Sequence, residues 1–353
     1  MRTIRRLLAL VAALAVVLAA PAALAPAPAV ADVGSAPSPV HVIETDAHGT
    51  WAGGIARLKD GRFYVVYMRG YGKGVPAHVF GRTISNLLAP TGKAHWLAGG
   101  PKTGYLDPGV VRTRKGTYLL SMHSKGSGIR LAGLSPSKNR LTTAIHNITG
   151  NGYNEATIGR WFGKVQLAYN SLSGGDYGKH VLVRQVYGPT SVAAATRGIC
   201  CSGDGPAGSQ DRDTIARTGA PGSMILTWSR PSSPGGANRT IYAALSGNRG
   251  ASWGAPFQIA ADPDADLVNP FAIRVGGEVR VYIEAKTDSG RRLEVVTSQD
   301  AGHTWTAPTV VPVDPSIHGI GRPVFIVQKG VVVCFASWVG KDGRYVLGTF
   351  SVP

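Results

Sequence analysis

Acidic side chains are scarce in this sequence. Its 353 residues hold 20 Asp and Glu against 37 Lys and Arg, for a formal net charge of +17. Such an excess favours acidic partners: sialic acids, uronates, sulfated glycans, an anionic cell wall or nucleic acid. A basic surface that serves solubility alone is the competing reading. No motif that interleaves aromatic and basic residues marks a nucleic-acid module, so a nucleic-acid partner is not expected. Cysteine is also rare, with Cys200 and Cys201 adjacent and Cys334 alone in an apolar run. An odd count leaves one thiol over in an oxidising compartment. Cys334 reads as a small buried hydrophobe, and the adjacent pair as either a vicinal disulfide or two thiols. There is no His-Glu-x-x-His, no Cys-x-x-Cys and no EF-hand loop, so no metal and no cofactor is expected. Convincing helical periodicity is missing. Beyond residue 31 no apolar run is long enough to span a bilayer.

What is present begins with a leader. Arg2, Arg5 and Arg6 precede an apolar run over residues 7–20, and Ala29-Val30-Ala31 forms a small-residue cleavage site. This reads as a secretory signal peptide over residues 1–31, cut after Ala31, with Arg5-Arg6 leaving a twin-arginine route open. The three leader arginines are its only charges, so the mature chain, 32–353, drops from +17 to +14. The expectation is a secreted, soluble monomer.

Near the C-terminal end stands Ser298-Gln299-Asp300-Ala301-Gly302-His303-Thr304-Trp305, directly after the strand-like run 293–297. An Asp at this place accepts backbone N–H groups two or more residues on, Gly supplies a backbone angle other residues resist, and Trp leaves the turn as an apolar anchor. A second copy, Ser246-Gly247-Asn248-Arg249-Gly250-Ala251-Ser252-Trp253, lies 52 residues upstream. A period of that size signals a propeller or solenoid. The octet resembles the Asp-box of the sialidase (neuraminidase) superfamily. The resemblance implies a sialidase-like, all-β, six-bladed β-propeller, with the Asp-boxes on its rim away from the active site.

The rest of the chain fits that period. Six units each read as strand, Gly-containing turn, second strand, longer turn and third strand. Five first strands run 54–57, 109–112, 157–160, 214–217 and 271–274, and each ends on an arginine. Spacings between these arginines are 55, 48, 57 and 57 residues. Short strands at even spacing suit radial blades and exclude a helical solenoid. Five identical residues at equivalent positions read as blade design. The chain stops after a third strand, so residues 39–45 are expected to supply the missing outer strand and close the ring.

Side chains just before each inner strand are expected at the mouth of a central funnel. There the sequence places Trp51, Tyr105, Asp107, Tyr153, Glu155, Arg212, Asp213 and Arg322; second-strand ends add Arg69, His123 and Glu284. Glycoside cleavage needs one carboxylic acid for the leaving oxygen and a second group as nucleophile or base. Asp107, Glu155, Asp213 and Glu284 are the candidate acids, and His123 reads as either an acid/base or a bonded strand residue. Arg69, Arg212 and Arg322 are candidate holders of an anionic sugar by bidentate pairing. Trp51, Tyr105 and Tyr153 are candidates to stack on sugar rings, or else to fill the funnel wall. The sialidase resemblance implies an arginine triad, a Tyr nucleophile paired with Glu, and an Asp acid/base. The stretch 51–57 has no Arg-Ile-Pro, and Arg322-Pro323 is a partial echo of it. Three functions follow: a sialidase-like hydrolase of terminal sugars, a propeller lyase acting on uronates, and a glycan- or wall-binding propeller without catalysis.

Overall fold

The computed structural model describes residues 39–353 except 47, 71–76, 87, 101–103, 125–127, 151–152, 172–179, 195–211 and 232–237. The leader and Cys200-Cys201 lie outside the described residues. Six antiparallel sheets account for nearly all regular structure, and the first five are laid down in chain order from inner to outer strand. Blade 1 holds Thr50–Arg57, Phe63–Arg69, His78–Ile84 and His95–Ala98. Blade 2 holds Tyr105–Arg112, Tyr118–Ser124, Gly128–Ser135 and His146–Asn147, with Arg140–Leu141 as a short extra strand. Blade 3 holds Tyr153–Trp161, Lys164–Ser171, His180–Gly188 and Ser191–Val192. Blade 4 holds Thr214–Arg217, Met224–Pro231, Arg239–Ser246 and Phe257–Ala260. Blade 5 holds Asp266–Val275, Glu278–Thr287, Gly290–Ser298 and Thr309–Val310. Blade 6 holds His318–Gln328, Val331–Val339 and Tyr345–Val352.

The outer strand of blade 6 is His41–Asp46, which pairs with Tyr345–Val352 and closes the ring as the sequence predicts. Each inner strand touches those of its two neighbours, the first and last included. They surround a cavity of about 560 Å³. This is a six-bladed β-propeller. No described helix is long and apolar enough to cross a membrane.

The blades pack face to face, which explains the sequence pattern. A second strand is covered on both faces, so it reads as a continuous apolar run rather than an alternating one. Phe63–Met68 and Val332–Trp338 are buried without interruption. Aromatic rings bridge blades: Tyr282 stacks on Phe325 at 4.2 Å between ring centres. A buried ring of that size contributes about 1.5–3 kcal/mol. Where inner strands crowd, only glycine fits. A Cβ at Gly53 would collide with the Pro108 carbonyl oxygen of the next blade. Cys334 is fully buried, and burial pushes its thiol pKa up, as suits a core residue.

The Asp-boxes sit in the turns between third and fourth strands of blades 4 and 5. Asp300 Oδ1 accepts the backbone N–H groups of His303 and Thr304 at 3.0 and 2.8 Å, and Oδ2 accepts the Thr304 hydroxyl at 2.6 Å. The Ser298 hydroxyl donates to Asp300 at 2.8 Å and accepts from Gly302 N–H at 2.7 Å. Gly302 has φ +100°, which a side chain rarely adopts. In blade 4, Asn248 Oδ1 accepts the Ser252 N–H at 2.9 Å. Trp305 and Trp253 drop back against the cores of blades 4–5 and 3–4.

These hydrogen bonds hold the Asp300 pKa below the usual carboxylate value, the Thr304 side-chain bond contributing most. The stabilisation is therefore present at neutral pH and is lost as pH falls through the folded-state pKa. Asp300→Ala is expected to cost about 1 kcal/mol, the scale of a lost helix cap. Asp300→Asn, the arrangement blade 4 already uses, is expected to recover more than half. Thermal unfolding at pH 7 measures both, and equal losses would show that the acceptor geometry is not what stabilises the turn.

Candidate active site

One local irregularity builds the site. In blades 2, 3, 5 and 6 the inner strand skips two residues of pairing near the funnel and then resumes. The first skipped residue is Asp107, Glu155, Asn269 or Arg322, with φ of 46°, 52°, 48° and 51°. A bulge of this kind re-aims a side chain out of the ladder. Positive φ at a residue other than glycine costs on the order of 1 kcal/mol or more. The polar residues expected ahead of the inner strands are thus inside them, in bulges. Blade 4 brings Arg212 and Asp213, both buried, directly ahead of its inner strand.

Arg322 joins the blades across the mouth. Its Nη1 pairs with Asp107 Oδ1, and its Nη2 lies 3.5 Å from Glu155 Oε1. Two carboxylates from adjacent blades therefore meet opposite nitrogens of one guanidinium from blade 6. The same guanidinium carbon is 5.9 Å from the Trp51 ring. Glu284 holds the group from below. Its Oε2 accepts the Arg322 backbone N–H at 2.9 Å and the Asn269 amide at 2.8 Å, and its Oε1 accepts Arg291 Nη1 at 2.7 Å. With three donors on a fully buried carboxylate, Glu284 is a positioning group rather than a free acid.

Arg212 crosses the funnel floor. It is 5 % exposed and donates through Nη2 to the Ala52 carbonyl of blade 1 at 3.2 Å. Burial pulls its pKa down to about 10, against the charges of Glu155 and Glu284, which raise it. His123 lies beneath Asp107, with Nδ1 3.3 Å from Oδ2. Burial pushes the imidazole pKa down to about 4. The Asp107 charge is already engaged by Arg322, so desolvation governs and His123 is neutral at pH 7.

Two sequence candidates, Arg69 and Tyr105, lie elsewhere. Arg69 pairs with Glu44 at 2.6 Å and Asp46 at 3.3 Å, on the closing strand, and its guanidinium sits 4.5 Å from the Phe80 ring centre. It is neutralised between blades and holds no funnel anion. Tyr105 is 7 % exposed within the apolar core of blades 1 and 2, and its hydroxyl accepts from Arg130 at 3.4 Å. It fills the wall and offers no stacking face. Tyr153 starts the inner strand of blade 3, and its side chain lies outside the described residues. Trp51 remains at the mouth, 6.4 Å from Tyr345. Asn269, Arg291 and Tyr345 are site residues beyond the sequence candidates. Asn269 shares the spacing of Asp107 and Glu155 ahead of its blade, which is the signal that finds it. Among the described residues no three His, Cys, Asp or Glu side chains converge as a metal site.

The family described as BNR repeat-like domain matches residues 222–347, the stretch that carries both Asp-boxes. No curated protein matches the chain significantly. Among solved structures, a protein of unknown function from Dyadobacter fermentans is similar at TM-score 0.65 and 12 % identity, over 89 % of this chain and 99 % of that one. An α-L-arabinofuranosidase from Fusarium graminearum, in complex with an iminosugar inhibitor, is similar at TM-score 0.61 and 13 % identity, over 90 % of this chain and 98 % of that one. An ulvan lyase of polysaccharide lyase family 25 is similar at TM-score 0.55 and 12 % identity, over 88 % of this chain and 84 % of that one. Identities this low speak for the shared propeller fold alone.

The neutral His123 makes a pH prediction. Its folded pKa, about 4, is below the unfolded value of 6.5. Stability from this group is therefore complete above about pH 6.5 and is lost as pH falls toward 4, by up to about 3 kcal/mol. His123→Gln is expected to flatten the stability profile between those limits, measured by urea unfolding at several pH values. An unchanged acid slope would mean that the imidazole is charged in the folded protein.

Proposed function

We propose that the protein is a secreted glycoside hydrolase acting on terminal sugars of anionic glycans. The observation that carries the reading is the convergence of Asp107 and Glu155 on one guanidinium at the funnel mouth. Asp107 and Glu155 are the pair of carboxyl groups that glycoside hydrolysis requires, brought to one place by Arg322. Asp107 is the more buried carboxylate, paired with Arg322 and beside His123. It is the nucleophile at the anomeric carbon. Glu155, nearer solvent, protonates the leaving glycosidic oxygen and then deprotonates the water that releases the sugar. The partly exposed Arg291, paired with Glu284 through Nη1, presents the rest of its guanidinium to a carboxylate or sulfate on the substrate, while Arg322 holds the two carboxylates in place. Trp51 offers an apolar face for the ring. Solved structures with this fold include an α-L-arabinofuranosidase and an ulvan lyase, so the fold accommodates both hydrolysis and elimination.

A lyase is the second reading, favoured by one observation. A neutral imidazole beside a carboxylate is in the right state to take a proton next to a uronate carboxylate. Mass spectrometry separates the two. The mature chain, incubated with sialosides, arabinosides and uronate polymers, is expected to add one water across the cleaved bond. Asp107→Asn and Glu155→Gln are each expected to lower kcat by about 10²-fold or more, with Asp60→Asn on the opposite face as a neutral control. Cleavage without water uptake, giving unsaturated ends and surviving Glu155→Gln, would establish the lyase instead. Glycan binding with no product on any substrate would leave a binding propeller.

A further inference from the structure

We propose that the opposite mouth of the channel is a second site, which binds a polyanionic polysaccharide independently of the funnel chemistry. Arg57, Arg112, Arg160, Arg217 and Arg274 each sit at the far end of an inner strand, in its last or next-to-last paired position. All five line the central cavity. Four are exposed and Arg112 is half-buried. Repetition alone suggests blade design, but a design residue is buried or bonded. Among the described residues no carboxylate forms an ion pair with any of the five. The acids of this face are engaged elsewhere: Asp60 with Arg62 at 2.7 Å, Glu278 with Arg280 at 3.1 Å, and Asp300 within its turn.

Contacts hold some of these guanidinium groups in place without neutralising them. Arg217 lies 4.5 Å from the centre of the Phe162 ring, in a turn of blade 3. Arg274 packs where Gly219 leaves no Cβ, at the corresponding turn of blade 4. Five like charges around one opening repel one another, and an anion removes that cost. The positive surface is also wider than any small ion. The turns that follow the inner strands add exposed Lys59, Arg114, Lys115, Lys164 and Lys329 around the ring. Planar guanidinium forks match carboxylate and sulfate oxygens in pairs. A chain bearing such groups at regular intervals satisfies the ring and the surrounding lysines together. Its distance from Asp107 and Glu155, at the other ends of the same strands, makes this site separable from catalysis.

The test uses the mature protein and two probes, heparin for sulfate and polygalacturonate for carboxylate, with dextran as the uncharged control. Binding is measured by titration at low and moderate salt. Arg57→Gln with Arg160→Gln removes two ring charges at exposed positions. Lys341→Gln with Arg344→Gln removes two from the funnel-side rim. The ring pair is expected to weaken binding at least tenfold and to reduce its salt dependence, while the rim pair stays within twofold of the parent. Thermal unfolding confirms that both variants are folded. Equal loss in both variants, or no binding of either polymer at low salt, overturns the proposal. Tighter binding of duplex DNA than of both polysaccharides overturns the choice of partner. Turnover of a small funnel substrate is expected to be unchanged in the ring variant, so failure of this site is distinguishable from failure of the proposed hydrolysis.

Discussion

An inner strand of this propeller has two obligations that conflict. It must pair with its second strand to hold the blade together, and it must turn a polar side chain toward the axis at one end. The two-residue interruption of the ladder resolves the conflict. Below it, pairing resumes with the register shifted by one residue, and the blades pack through apolar faces. Within it, the backbone takes φ near +50° and the side chain leaves the sheet. Everything at the mouth depends on this step. Arg322 reaches Asp107 and Glu155 because its own bulge is pinned by Glu284, and Glu284 also fixes the neighbouring bulge through Asn269.

The same strands segregate charge along their length. At the funnel end, buried carboxylates balance Arg212, Arg291 and Arg322, so a high local density of ions remains close to neutral. At the far end the arginines have no such balance. Among the described residues, charge is therefore compensated at one end of the channel and uncompensated at the other. One end of the channel is a compensated, partly dry site where a proton or a covalent bond can be managed. The other is an uncompensated, wet face suited to association.

Much of the fold was legible because local signals repeat. The octets 246–253 and 298–305 specify their own turns through side-chain hydrogen bonds, and a period near 50 residues follows from having two of them. The missing fourth strand of the last blade required residues 39–45 to fill it, and His41–Asp46 does so. The site was legible only in part. Asp107, Glu155, Arg212 and Arg322 share a place in the repeat and could be found by spacing. Their placement inside bulges could not, because apolar run length marks where pairing is continuous and not where it is interrupted. Tyr105 and Arg69 were misleading for a different reason. Each satisfies a position at the polar end of a strand, but its partner, Arg130 or Glu44, comes from another strand or another blade. Period and pattern along one chain carry no information about such long-range partners.

The strained positions themselves separate architecture from function. Glycine would adopt φ near +50° without cost, and this chain uses glycine freely elsewhere. At the four equivalent bulges it instead places Asp, Glu, Asn and Arg. If the bulge served only to shape the blade, the same residue, or glycine, would do in every blade. Four different polar side chains at one repeated strained position mean that what they do differs from blade to blade. Asn269 braces Glu284, Arg322 bridges the mouth, and Asp107 and Glu155 face each other across its guanidinium. Strain retained for the sake of distinct side chains in contact with one another is the mark of an assembled site, and it needs no comparison with any other sequence to be read.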